Sequence, residues 1–211
     1  MLYVWLFVIT NFLGYNIFAQ QNKNDSLSKN KIELTQAFID IKPTDTIVDI
    51  GSGSGYSIVP IIALYPNVLF TLQDIDSNKL NIKNITTRIK KYSKEENVKQ
   101  LNIVYGTEKS TNLPKASFNK ILLFDVIHEF TYKAEMLTDI AKVLSTNGSL
   151  FVEEIIVHQP QKKDRACAYP FFTEAAFKKL MLDNNFVIVK EQITLDSGRN
   201  KYKKLYHFKI K

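Results

Sequence analysis

The sequence predicts an α/β domain built on a doubly wound, mostly parallel seven-stranded sheet that closes with a C-terminal antiparallel hairpin. Three observations carry the prediction. The stretch Thr46–Ser57, T-I-V-D-I-G-S-G-S-G-Y-S, runs from β-branched residues through Asp49 into glycines at 51, 53 and 55. From there on, short apolar runs alternate with amphipathic helical stretches, which lays successive strands parallel with helices crossing between them. Two long strand-like runs, Phe186–Ile193 and Tyr202–Ile210, then meet through Asp196-Ser197-Gly198-Arg199-Asn200 as a hairpin.

Composition agrees with one folded domain. The chain has 211 residues, 45% of them apolar and 23% charged, enough for a full core. Its net charge of +7 comes from scattered groups, notably Lys79, Lys83, Arg88, Lys90, Lys91 and Lys94, then Lys201, Lys203 and Lys204. These read as a solvated helix face and a lysine-rich hairpin, so no nucleic-acid partner is expected. A single cysteine, Cys167, rules out an intrachain disulfide and a cysteine-based zinc cage.

Residues 1–22 stand apart. They contain no charged side chain, Leu2–Leu13 is strongly apolar, and Ala19 before Gln20-Gln21 suits a cleavage site. The segment reads as a secretory signal peptide or N-terminal membrane anchor, although no Lys or Arg precedes the apolar run. Thr10, Asn11, Gly14 and Asn16 make it a poor membrane span. The domain is then exported, periplasmic or membrane-anchored if the segment functions, and cytoplasmic otherwise. Left uncleaved, Lys23, Lys29 and Lys31 would hold the domain on the cytosolic side. Residues 23–31 are expected to be a linker and 32–211 the folded domain.

Within the domain, Ile32–Ile41 is expected as a short helix, turned by Lys42-Pro43-Thr44-Asp45 into the first strand at Thr46. After the glycines, Pro60 requires a helix that starts late, with Ser57 as its N-cap, or one that kinks. Val68–Leu72 is the second strand, ending in Gln73-Asp74-Ile75-Asp76. Ser77 is expected to cap a helix with Ile82, Ile85, Ile89 and Tyr92 on one face. Leu101–Tyr105 is the third strand and Asn119–Phe124 the fourth, with Asp125 at its tip. Met136, Leu137, Ile140, Ala141 and Leu144 form a core-facing helical stripe, and Asn147-Gly148 turns into strand Leu150–Ile155. The seventeen residues Ile156–Phe172 read as a long functional loop holding His158, Cys167 and Tyr169. Thr173 caps a helix with Phe177, Leu180 and Met181 inward.

Ligands of such sheets bind beyond the carboxyl ends of the strands. Glycines supply positive φ and let a ligand approach the main chain, and the amides at the next helix's N-terminus would face a polar group. Asp74 lies 23 residues after Gly51, where a strand-tip carboxylate can take ribose hydroxyls. Tyr56 stands where a dinucleotide fingerprint has its third glycine.

Together, D-I-G-S-G-S-G, L-Q-D-I-D-S-N-K-L and L-S-T-N-G-S-L-F-V-E-E resemble a class I S-adenosylmethionine-dependent methyltransferase over residues 33–211. The resemblance implies the class I methyltransferase fold, S-adenosylmethionine as cofactor and methyl transfer to a small-molecule substrate through oxygen, nitrogen or carbon. It places Gly51, Gly53 and Gly55 against the methionine portion, Asp49 near its amino group, Asp74 on the ribose and Ile75 on adenine. Thr107 and Glu108 stand near the adenine amine, and Asp125 closes the cofactor set. His128, just beyond the fourth strand, is the candidate base, with Glu129 second and His158 behind them. Asp125 with Glu153 and Glu154 is weighed as an oxygen-rich metal site, but no metal is assigned. The rival readings are a non-catalytic cofactor-binding or envelope protein that keeps the fold, and a nicotinamide-dependent oxidoreductase. A cytosolic cofactor also sits awkwardly with export.

Overall fold

The computed structural model describes residues 30–92, 101–160, 168–196 and 200–211. By internal packing the chain divides into Met1–Phe38 and Ile39–Lys211. The N-terminal signal or anchor and most of the expected linker lie outside the described residues, as do Lys94, Cys167 and Ser197–Arg199. Among the described residues no helix is long and apolar enough to cross a membrane. Helix α1 spans residues 30–39, two residues earlier than expected, because Asp40 takes a left-handed φ of 53° and ends it.

Seven strands line up in the order β3-β2-β1-β4-β5-β8-β7. They are β1 (Thr46–Ile50), β2 (Leu69–Asp74), β3 (Leu101–Tyr105), β4 (Phe118–Phe124), β5 (Leu144–Val157), β7 (Phe186–Asp196) and β8 (Lys201–Ile210). An additional two-residue strand, β6 (Phe172–Thr173), pairs with the end of β5. Strands β1 to β5 are mutually parallel, whereas β8 runs antiparallel to both β5 and β7. Parallel strands covered on both faces should be apolar throughout, and Ile47, Val48, Ile121, Leu122, Leu123, Leu150 and Val152 are all fully buried.

The helices follow their patterns with instructive exceptions. Helix α2 (Val59–Ile62) has only four residues and keeps Pro60 in its first turn, but Ile58 precedes it and no side chain caps it. Helix α3 (Ile82–Ile89) starts later than Ser77 implied. Asn81 is its cap, accepting the Asn84 amide at 2.9 Å, while Asp76 ties down the amides of Asn78 and Lys79. Ile85 and Ile89 are buried, but Ile82, the first residue of the helix, and Tyr92, beyond its end, are exposed. Helix α4 (Lys133–Val143) buries Met136, Leu137 and Ile140 as expected. Leu144 already begins β5, and the Asn147-Gly148 turn survives as an irregularity in that strand, with Asn147 at φ 62°. Thr173 caps α5 (Glu174–Asp183) through the Ala176 amide. Phe177 of α5 meets Tyr206 at 4.9 Å and Phe208 at 6.0 Å, which fastens the hairpin to the core.

Strand order reverses between β1 and β4. Their carboxyl ends, with that of β2, bring the glycine turn, Asp74 and Asp125 to one edge of the sheet.

Candidate functional site

The turn after β1 is built by three left-handed glycines, with φ of 75°, 51° and 76° at Gly51, Gly53 and Gly55. They do different jobs. A Cβ on Gly51 would lie 2.3 Å from Val126 Cγ2, and one on Gly55 would lie 2.5 Å from Ile85 Cδ1 and 2.9 Å from Val59 Cγ2. A Cβ on Gly53 would meet nothing within 4 Å. Gly53 therefore opens the turn to a ligand, while Gly55 is required by helix packing and does not line the cavity.

At the start of α2, where amides were expected to face a ligand, that of Val59 donates to the Gly55 carbonyl at 3.0 Å, and the turn's own amides are likewise used. Those of Gly51 and Ser52 donate to the Gln73 carbonyl at 2.8 and 3.0 Å, and that of Gly53 donates to Asp74 Oδ2 at 2.7 Å. The four-residue α2 offers no N-terminal ligand seat. Asp74 Oδ1 also holds the Asp76 amide at 2.8 Å. Each carboxylate oxygen has a second lone pair, so Asp74 can still accept two ribose hydroxyls while bracing the turn.

A cavity of about 290 Å³ lies against this turn, near the lower end of the roughly 300–1,000 Å³ usual for ligand sites. Gly51, Gly53, Asp74, Ile75, Thr107 and Glu108 all line it. Ile75 is 55% exposed there, an apolar face free to cover a flat ring. Thr107 Oγ accepts the amides of Lys109 and Ser110, so it shapes its own turn, and Glu108 supplies the acidic group. Gln73 also lines the cavity, buried, with Nε2 lacking a hydrogen-bond partner among the described residues. Sequence reasoning passed over it; its position one residue before the strand-tip Asp74 was the available signal.

Asp49 stands one residue inside the strand, 2% exposed, and its Oδ1 has no hydrogen-bond partner among the described residues. Burial pushes its carboxyl up to about 8; the Ser52 hydrogen bond opposes this and the Asp74 charge adds to it. Asp49 does not itself line the cavity, although Ile50 and Gly51 after it do; its orphaned buried acid fits a ligand bearing an ammonium group. With Asp74 and Ile75, these residues fit the amino-acid, ribose and base portions of S-adenosylmethionine.

Asp125 does not join this cavity. It takes a left-handed φ of 56°, turns the chain out of β4, and ion-pairs with Lys203 of β8. It lines a second cavity of about 430 Å³ with His128, Glu129, Ile155, Tyr169 and Phe171. Glu129 and Tyr169 line both cavities. The three carboxylates do not share an open site: the Lys203 ammonium stands between Asp125 and Glu153, 3.6 Å from Glu153 Oε1, and Glu154 turns away from both. Adjacent strand residues point to opposite faces: Glu153 binds Thr194 Oγ at 2.8 Å, and Glu154 binds His128. The His158 ring lies tilted against Tyr202, centres 5.3 Å apart, and lines neither cavity.

His128 engages a buried carboxylate on the neighbouring strand. It lies in a short 3-10 turn (Ile127–Glu129), 4% exposed, with Nδ1 2.8 Å from Glu154 Oε2. Burial lowers the imidazole's pKa, but the Glu154 hydrogen bond and charge, then Glu129 and Asp125, raise it further, and the balance is upward.

Fold and site define a class I methyltransferase. A family model described as a methyltransferase domain matches residues 41–209, and the chain belongs to that family. S-adenosylmethionine is the cofactor expected of it. No curated protein sequence matches the chain. Among solved structures, a Leishmania major SAM-dependent methyltransferase is similar with TM-score 0.69 and 16% identity, over 88% of this chain and 74% of that one. An O-methyltransferase from a Brevibacillus brevis trans-AT PKS multienzyme, in complex with S-adenosyl-L-homocysteine, is similar with TM-score 0.65 and 14% identity, over 96% and 78%. The [4+2]-cyclase SpnF is similar with TM-score 0.67 and 12% identity, over 85% and 80%.

Proposed function

We propose that the protein transfers the methyl group of S-adenosylmethionine to a small-molecule acceptor bound in the second cavity. The observation that carries this reading is the adjacency of the two cavities, which share Glu129 and Tyr169 as a common wall. When bound, the cofactor supplies an electrophilic methyl on a sulfonium, whose sulfur departs as a neutral thioether. The chain's part is to align the two partners and keep water out, and alignment alone can contribute roughly 7 to 11 kcal/mol. Asp74 and Ile75 hold the adenosyl end, and Asp49 faces the ammonium. Gly53 leaves the main chain open beside them. Tyr169 and Phe171 wall the acceptor side. Membership of the methyltransferase family sets the nicotinamide reading aside.

Titration calorimetry of the full chain with S-adenosylmethionine tests the reading. Micromolar binding is expected, together with label from methyl-labelled cofactor appearing in a small-molecule product. Binding without transfer to any acceptor would favour the non-catalytic alternative, and no binding would end the proposal.

A further inference from the structure

Glu154 is a costly side chain to bury in the sheet. It is fully buried near the C-terminal end of β5, where an apolar residue would pack at less cost, since a buried charge must be matched by hydrogen bonds. Its matching is complete and local. Oε1 accepts the Ile127 amide at 2.7 Å and the His128 amide at 3.3 Å, while Oε2 faces His128 Nδ1 at 2.8 Å. A carboxylate there requires Nδ1–H to donate, which leaves the lone pair of the neutral ring on Nε2. Nε2 lies 3.8 Å from Oε1 of Glu129, the residue common to both cavities. Phe171 packs edge-on against the ring at 5.0 Å and restrains it from turning. One face of the acceptor cavity thus presents a fixed, basic nitrogen.

Chemistry then narrows the acceptor. A carboxylate is already ionised at neutral pH, needs no base, and would meet Asp125 and Glu129 in the cavity wall. An amine can give its proton to water before it binds and then attacks through its own lone pair. A phenol-like hydroxyl, whose pKa is about 10, keeps its proton at neutral pH and must lose it as it reacts. Ile155, Tyr169 and Phe171 offer apolar and aromatic walls to the ring that would carry it. We infer that the acceptor is an aromatic hydroxyl and that His128 is the catalytic base, positioned by Glu154; this rests on the methyl-transfer reading. The hydroxyl proton passes to Nε2 as the oxygen's electron pair forms the bond to the methyl carbon. The carbon–sulfur pair stays on sulfur, and the imidazolium, held against Glu154, returns its proton to water.

The charged groups facing His128 are Glu154 on β5, Asp125 and Glu129 on the turn after β4, and Lys133 on α4, whose Nζ lies 3.3 Å from the His128 carbonyl. Lys203 of β8 offsets Asp125, and Glu154 and Glu129 still outweigh Lys133. The base is therefore in its neutral, active form only above an elevated midpoint, and transfer rises with pH across it.

The test uses the full chain, His128→Gln and Glu154→Gln, with methyl-labelled S-adenosylmethionine and phenol, p-nitrophenol, aniline and benzoate as separate acceptors, read by mass spectrometry. NMR titration of the His128 ring gives a readout independent of turnover. Wild type is expected to methylate phenol, and His128→Gln to lose about a hundredfold or more, within the range of general-base catalysis. More acidic p-nitrophenol, already largely ionised, is expected to suffer much less. In Glu154→Gln, which keeps shape and a hydrogen-bond acceptor, the ring's midpoint and the pH–rate midpoint are both expected to fall together. Unchanged cofactor affinity in both variants separates this outcome from failure of the methyl-transfer reading. Equal losses on both phenols, an unmoved midpoint, or label only on aniline or benzoate would overturn the inference, as would label on none of the four with cofactor bound.

Discussion

Asp74 accepts the amide hydrogen of Gly53 at 2.7 Å, joining the tip of β2 to the turn after β1. The same carboxylate thus braces the glycine turn and, in the proposed reading, seats the ribose. Asp74→Ala removes both and is expected to weaken S-adenosylmethionine binding at least tenfold, about 1.4 kcal/mol. Asp74→Asn keeps one acceptor oxygen for Gly53 and is expected to fall between. Calorimetry giving equal affinities for all three proteins would remove Asp74 from the site.

The glycines should separate by mutation. Gly55→Ala drives a methyl into Ile85 and Val59, so urea unfolding should show a loss of about 1–3 kcal/mol, with cofactor affinity of the folded protein little changed. Gly53→Ala meets no neighbour but crowds the cavity from a left-handed backbone. Its stability loss should be the smaller and its binding loss the greater. The reverse ordering would refute the division of labour between them.

If Asp49 meets the cofactor's ammonium as proposed, cofactor binding is expected to depend on pH. With its carboxyl pushed up to about 8 by burial, it carries a proton in the free protein at neutral pH. An ammonium brought alongside lowers that value, so the complex holds fewer protons and affinity rises as pH climbs toward 8. Calorimetry in buffers of different ionisation enthalpy should register proton release at pH 7. Asp49→Asn should abolish it.

Glu174 ties α5 to the hairpin, meeting Lys178 at 2.6 Å, Lys204 at 2.7 Å and Tyr202 at 2.6 Å. Burial opposes its ionisation, but these partners outweigh burial and bring it from 4.5 down to about 2. Because the folded value is depressed, the stabilisation is complete above the unfolded value and disappears as pH falls toward 2. Wild type should melt above Glu174→Gln at pH 7, with the gap closing between pH 4.5 and 2. A constant gap would show that packing, not charge, is responsible.

The sheet was largely legible because its signals are local and repeated: β3 begins and ends where its apolar run does, and Gly53 and Asp74 meet because β1 and β2 pair in register. Helix starts were less so. Ser77 and Asn81 are both competent caps, and Asp76 decides between them by claiming the amides of Asn78 and Lys79. The acceptor side was hardest to read. Glu153-Glu154 looks like one acidic pair in the sequence, whereas strand alternation sends its members to different partners. The tie from Glu154 to His128 spans 26 residues, and that from Lys203 to Asp125 spans 78, so neither has a local pattern to announce it.

Strand β8 is made after β7 yet lies between β7 and β5. During synthesis, β7 therefore has no edge to join until its successor emerges, and β5 waits with one side uncovered. The lysine that neutralises Asp125 arrives on that same late strand. A nascent chain halted before it would leave Asp125, in the wall of the second cavity, without that partner. Order of emergence thus makes the last strand the one that balances the charge of that wall.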